Sequence, residues 1–167
     1  MKTKKIRIAS YKGCKTFFSK LISFKQRYID DLPKRYAKYT HSEIIFEDWM
    51  SFSSSEVDWW VRFKKINYKS EHWDFVDIDI PTSKYEKIYN IAKLQSWNGY
   101  NWFSIFFSQI LKMNIKWEHT FFCSEIVTHL LQICHISDRI CHESAIFVSP
   151  WKLLYLLEDG ERIITNE

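Results

Sequence analysis

Apolar residues along this chain follow two periods, and the switches between them mark out its elements. Lys4-Lys5-Ile6-Arg7-Ile8-Ala9-Ser10 alternates charged and apolar positions, the period of a half-buried strand, and Gly13 ends it. Phe17, Phe18, Leu21, Ile22 and Phe24 recur at spacings of three and four, which predicts a short amphipathic helix. The polar stretch 30–38, carrying Pro33, reads as a loop. Residues 41–46 and 50–54 flank Glu47-Asp48 as a β-hairpin, and 61–64 and 73–80 alternate again as two further strands, the second closed by Pro81. The period then becomes helical. Thr82 is a plausible N-cap for a helix over 82–94 with Tyr85, Ile88, Ile91 and Ala92 on one face, and Gly99 stops it. Further helices are predicted over 100–111 and 123–134, and Ser149-Pro150 opens a last one through 157. The pattern is that of one α+β domain over 1–167, a small antiparallel sheet packed against helices.

Composition narrows this picture. A chain of 167 residues that is 46% hydrophobic and 18% aromatic can bury a core and does not read as disordered. Three Gly and three Pro leave no room for long flexible linkers. A formal charge of +4 and a pI near 8.8 are too weakly basic to imply nucleic acid as a partner. The most apolar window, 102–111, contains Ser104, Ser108 and Gln109 and is too short to span a bilayer, so no transmembrane helix is expected. Lys2, Lys4, Lys5 and Arg7 precede or interrupt an apolar run far too short for a signal sequence. Cytoplasmic synthesis is therefore expected, with delivery by another route left open. On that expectation Cys14, Cys123, Cys134 and Cys141 are reduced thiols.

Two segments carry candidate chemistry. In Phe121-Phe122-Cys123-Ser124-Glu125-Ile126-Val127 the helical spacing of Ile126, Val127, Leu130 and Leu131 puts Cys123 in a first turn. Free N–H groups and the helix dipole there favour a thiolate and can hold an oxyanion. Most free cysteines are simply small buried apolar residues, so position alone leaves both readings open. Far upstream, Thr40-His41-Ser42-Glu43-Ile44-Ile45-Phe46 places His41 on a strand. Its imidazole can take the Cys123 proton and return it to a leaving group, or it can be an ordinary hydrogen-bonded histidine. A third group that orients the imidazole is expected from the return strand, where Ser53 can face the same side.

Other constellations are weaker. Cys134-His135 and Cys141-His142 match the spacing of no standard zinc module. His129 lies on a different helix face from Cys123. Trp59, Trp60, Trp97, Trp102 and Trp117 are compatible with a substrate groove or with plain packing. No P-loop and no dinucleotide fingerprint occur.

Taken together, the two segments resemble the circularly permuted form of the NlpC-type papain-like superfamily, which includes YiiX-like amidases and lecithin retinol acyltransferase. Its members carry a Thr-His-x-x-Ile strand early and a Cys-Ser-Glu-(Leu/Ile)-Val helix late, matched here by Thr40-His41-Ser42-Glu43-Ile44 and Cys123-Ser124-Glu125-Ile126-Val127. Gly99-Tyr100-Asn101-Trp102 resembles the family's Gly-x-Tyr-Asp-Trp, and the likeness extends to 51–56 followed by Val61-Arg62. Short proteins from bacteriophages and bacteria are similar along nearly the whole chain.

The resemblance implies a permuted papain-like fold and a thiol hydrolase, an amidase or peptidase that forms a covalent acyl-enzyme. It implies Cys123 as nucleophile, His41 as base and Ser53 in the third position, with Glu43 and Glu56 as competitors. Tyr11 and Glu125 are accessory candidates. It implies no cofactor, and a peptide or amide substrate, with cell-wall peptides (peptidoglycan) the commonest choice. Two alternatives stand beside this reading. One is a lipid-directed acyltransferase or thioesterase that meets membranes through 102–111. The other is a non-catalytic phage structural or binding protein on the same fold.

Overall fold

The alternating segment at the start of the chain lies inside the sheet. In the computed structural model, which describes residues 2–13, 20, 23, 38–96, 98–100 and 120–164, β1 (Thr3–Lys12) runs antiparallel between β2 (Tyr39–Ile45) and β5 (Trp73–Pro81). β3 (Met50–Ser55) and β4 (Trp60–Lys65) complete five antiparallel strands in the order β5-β1-β2-β3-β4. Two short strands extend the β4 edge, β6 (Gly99–Tyr100) antiparallel to β4 and β7 (Thr120–Phe121) parallel to β6. The helices are α1 (Thr82–Gln95), α2 (Cys123–Ile133), the short α3 (Asp138–Cys141) and α4 (Pro150–Ile164). The class is α+β.

Strand parity sorts the sheet into two faces. The pairs Ile8 with Ile44, Ile8 with Val76 and Ile44 with Phe52 line up one face, which is buried. Helices add to the same cluster: Ile88 and Ala92 from α1, Ile126 and Leu130 from α2, Leu153 and Leu157 from α4. Each fully buried aliphatic side chain there contributes about 1.5–3 kcal/mol by leaving water. One residue out of phase, the other face carries Tyr11, His41 and Trp73 on one rung, then Ala9, Glu43 and Phe75 on the next. A single step along β2 thus separates core from chemistry.

Predicted strands match closely, because a half-buried strand leaves a clean period. The helix predicted over 17–24 and the loop over 30–38 lie almost wholly outside the described residues, as does all of the 100–111 helix beyond Tyr100. Tyr100 itself is in β6, not a helix. Thr82 does not cap α1: it is the first helical residue, Pro81 holds the cap position, and the Thr82 hydroxyl donates to the Lys2 carbonyl at 3.0 Å. Helix α4 continues past residue 157 to Ile164. Among the described residues no helix is long and apolar enough to cross a membrane.

Candidate active site

The segment before α2 is held on both sides of Cys123. Ser54 of β3 donates its hydroxyl to the Phe121 carbonyl at 2.6 Å, and Ser124 donates to the Val148 carbonyl at 2.6 Å. Phe122 is extended, and its N–H donates to Glu125 Oε2 at 3.3 Å. This is the glutamate half of a capping box, since phenylalanine has no acceptor for the other half. The helical ladder opens with the Ile126 N–H on the Phe122 carbonyl, 3.1 Å, so the amides of Cys123, Ser124 and Glu125 stand ahead of it. Cys123 is buried, with its sulfur against His41.

His41 sits between the Cys123 sulfur and the Glu43 carboxylate. Its Nε2 lies 2.9 Å from Glu43 Oε1, and the Cys123 sulfur is its other hydrogen-bonding partner. The imidazole keeps a solvent-facing edge, with 21% of the side chain exposed. Burial alone would push its pKa down, but the Cys123 sulfur and the Glu43 carboxylate together raise it to about 9. Trp73 meets the ring edge-on at a centroid distance of 6.1 Å, and Tyr11, opposite His41 in the ladder, packs on Trp73 at 5.0 Å.

Glu43 is fully buried. Its Oε1 accepts from His41 Nε2 and from Arg62 Nη2, and its Oε2 accepts from the hydroxyls of Ser51 and Tyr68, the latter at 2.6 Å. A carboxylate has about four acceptor positions, and all are used. Burial would raise this carboxyl, yet the hydrogen bonds and charges of His41 and Arg62 hold it well below the usual carboxylate range. Burial also works against the Arg62 charge, and Glu43 and Asp58 outweigh it. Tyr68 is pushed upward, by burial first and then by Glu43, so it remains a donor.

The third position differs from expectation. Ser53 does not meet His41: its buried hydroxyl donates to the Ser42 carbonyl at 2.6 Å. A serine side chain reaches only the adjacent backbone, whereas Glu43, two residues from His41 on the same strand face, spans the gap. Glu56 lies in the turn between β3 and β4, and among the described residues no hydrogen bond joins it to His41 or Cys123. Glu125 is buried within the first turn of α2. Ser51 and Arg62 lie in segments that carry the resemblance, but neither they nor Tyr68 is given a role by the sequence. Alternation places Arg62 opposite in phase to Val61 and Phe63, but only the pairing of β4 with β3, Arg62 beside Ser53, brings it to Glu43.

The remaining candidates lie elsewhere. His129 stacks on Phe121 at 6.2 Å. Cys141 Sγ is 3.8 Å from His135 Nδ1, and Cys134 is buried nearby in the sequence. Among the described residues no three Cys, His, Asp or Glu side chains come together as a metal-ligand set. Cys123, Cys134 and Cys141 are free thiols, and Cys14 lies outside the described residues.

Comparison with protein-family models, curated proteins and solved structures finds no match for this chain. The site brings a thiol, an imidazole and a carboxylate together in series, at the start of a helix whose first amides are not engaged by its ladder. Such a series can generate a nucleophile, shuttle one proton and stabilise an oxyanion.

Proposed function

We propose that this protein is a cysteine hydrolase acting on amide bonds, on a permuted papain-like variant of the α+β fold. The observation that carries the reading is the line Cys123–His41–Glu43, in which the imidazole holds the thiol and, through Nε2, the buried carboxylate. In the resting state the Cys123 proton sits on His41. The thiolate attacks the substrate carbonyl carbon, and the Cys123 amide helps to hold the resulting oxyanion. Collapse breaks the C–N bond as His41 passes its proton to the leaving nitrogen, which departs as an amine. Water then loses a proton to His41 and attacks the thioester, and the acid leaves with Cys123 restored as thiolate. Glu43 keeps the imidazole oriented and favours its charged form. Through the resemblance, peptide substrates, cell-wall peptides among them, are the class to test first.

Against the non-catalytic alternative stands the contact of Glu43, a stronger orienting group than Ser53, with the His41 imidazole. The lipid-directed alternative drew on 102–111, which lies outside the described residues.

The deciding experiment is alkylation by iodoacetamide across pH, read residue by residue by mass spectrometry. Cys123 is expected to label fastest near neutral pH despite its burial. Half-exposed Cys141 supplies the contrast, because access alone would favour it. His41→Ala is expected to abolish the fast phase or move it to high pH. Equal, slow labelling of every thiol would overturn the proposal.

A further inference from the structure

Arg62 and Asp58 lie behind Glu43 and have no part in the proton transfers just described. Arg62 enters from β4, beside Ser53, and reaches Glu43 Oε1, the same oxygen that His41 holds. Its Nη1 donates to Ser55 Oγ at 3.0 Å and to Asp58 Oδ2 at 2.5 Å. Asp58, in the turn between β3 and β4, also accepts from Lys64 at 2.7 Å. The Arg62 side chain is only 12% exposed and that of Asp58 17%, so water screens their charges weakly.

We infer that Arg62 and Asp58 form a charge relay behind Glu43 that sets the pH at which the Cys123–His41 pair becomes reactive, Arg62 acting as a positioning residue. The inference rests on the proposed thiol chemistry and deepens it. In the proposed thiolate state a row of alternating sign, buried at Cys123 and Glu43 and partly buried at the rest, runs through the site: Cys123 negative, His41 positive, Glu43 negative, Arg62 positive, Asp58 negative. Glu43 is shared between two cations, so Arg62 limits how firmly the carboxylate holds the imidazolium. Without Arg62, the full anion would face His41 and the row would become more negative by one charge. Every proton in it would then be held more tightly, and the thiolate would form at higher pH. Without the Asp58 charge the row becomes more positive, and the thiolate would form at lower pH.

The other groups near the pair do not supply this effect. Trp73 of β5 presents its ring to His41 and Tyr11 of β1 packs on Trp73, while Tyr68 and Ser51 present neutral hydroxyls to Glu43. His72 meets Tyr11 edge-on, at 6.2 Å, and pairs with Glu71. Asp74 on β5 is engaged by Lys12, Lys38 and the Tyr39 hydroxyl. Glu125 caps its own helix turn. Lys64 holds Asp58 from its exposed side.

The test is the pH profile of Cys123 alkylation by iodoacetamide in wild type, Arg62→Gln, Arg62→Lys and Asp58→Asn, each shown to be folded by its thermal transition. Across a few ångströms of weakly screened protein, one unit charge shifts a neighbour's titration by about one pH unit. Arg62→Gln is expected to move the acid limb up by about that amount, and Asp58→Asn to move it down by roughly half as much. Arg62→Lys is expected to stay near wild type. Packing damage alone has no reason to give opposite signs. Shifts of the same sign in Arg62→Gln and Asp58→Asn, or no downward shift in folded Asp58→Asn, would overturn the inference, and Asp58→Asn decides alone if Arg62→Gln does not fold. A wild type with no fast Cys123 phase would instead overturn the proposed function, so the two failures are separable.

Discussion

At the scale of single residues, Glu43 and Ser53 make a controlled comparison, because both are buried on the same face and only one touches His41. Glu43→Gln keeps the shape and removes the charge. The imidazolium loses its anchor and Arg62 is left buried without its main anion, which costs about 3 kcal/mol or more. Turnover on an amide substrate is expected to fall at least about a hundredfold, as when the carboxylate of a nucleophile–histidine–carboxylate triad is made an amide. Ser53→Ala loses one buried hydrogen bond, about 1 kcal/mol, and is expected to leave the rate and its pH profile unchanged. Urea unfolding and steady-state kinetics on the two variants check both halves. His41, Glu43 and Cys123 were visible in the sequence because strand parity and the first helical turn are local. The choice of Glu43 over Ser53 was not, since it depends on how far each side chain reaches across a gap whose width local pattern does not encode. Arg62 was visible as an outward residue of an alternating strand, but its partner comes from another strand.

Among the elements, α2 matters most, because its N-terminus positions Cys123 and both of its ends are tied. At and just past its C-terminal end, Lys84 and Lys87 of α1 donate to the carbonyls of His135 and Ile133 at 2.6 and 3.2 Å. They cap orphan carbonyls and complement the negative end of the helix dipole. Lys84→Met and Lys87→Met are each expected to cost about 0.3–1 kcal/mol in urea unfolding. Lys65→Met, the same charge change on β4, serves as baseline, and equal losses in all three would remove the capping account. The helix itself was legible from its apolar spacing, predicted over 123–134 and observed as Cys123–Ile133. Its end is a Schellman-type turn in which Ile136 N–H reaches the Leu131 carbonyl, 3.1 Å, with His135 at φ 48° where glycine is usual. No glycine marks that stop. β6 and β7 were missed because two-residue strands leave no period, and Gly99, read as a stop, begins one of them.

Over the whole molecule, alternation identified strands but not their order, and β1 lies inside the sheet only through long-range pairing with β5 and β2. That pairing also gathers the charges that link stability to pH. Asp77 is held by Arg7 at 2.5 Å and by Lys5 at 3.2 Å, Asp74 by Lys12 at 2.7 Å, and both carboxyls are lowered, as are Asp58 and Glu43. A carboxyl lowered on folding contributes stability that is present above its unfolded value and lost as pH falls. The urea midpoint is therefore expected to drop as pH falls from about 5 towards 3. Glu43→Gln is expected to flatten that drop more than Asp77→Asn, because Asp77 is a third exposed and screened by solvent. His41 acts with the opposite sign. Raised from 6.5 to about 9, it contributes stability that is fully present below 6.5 and lost as pH rises through about 9. The anion that sustains much of this shift is the Cys123 sulfur, so Cys123→Ala is expected to weaken the alkaline loss while leaving the acid limb in place. Urea titrations of wild type and the three variants at half-unit steps read both limbs. An alkaline limb identical in wild type and Cys123→Ala would mean that the thiol and the imidazole do not share a charge.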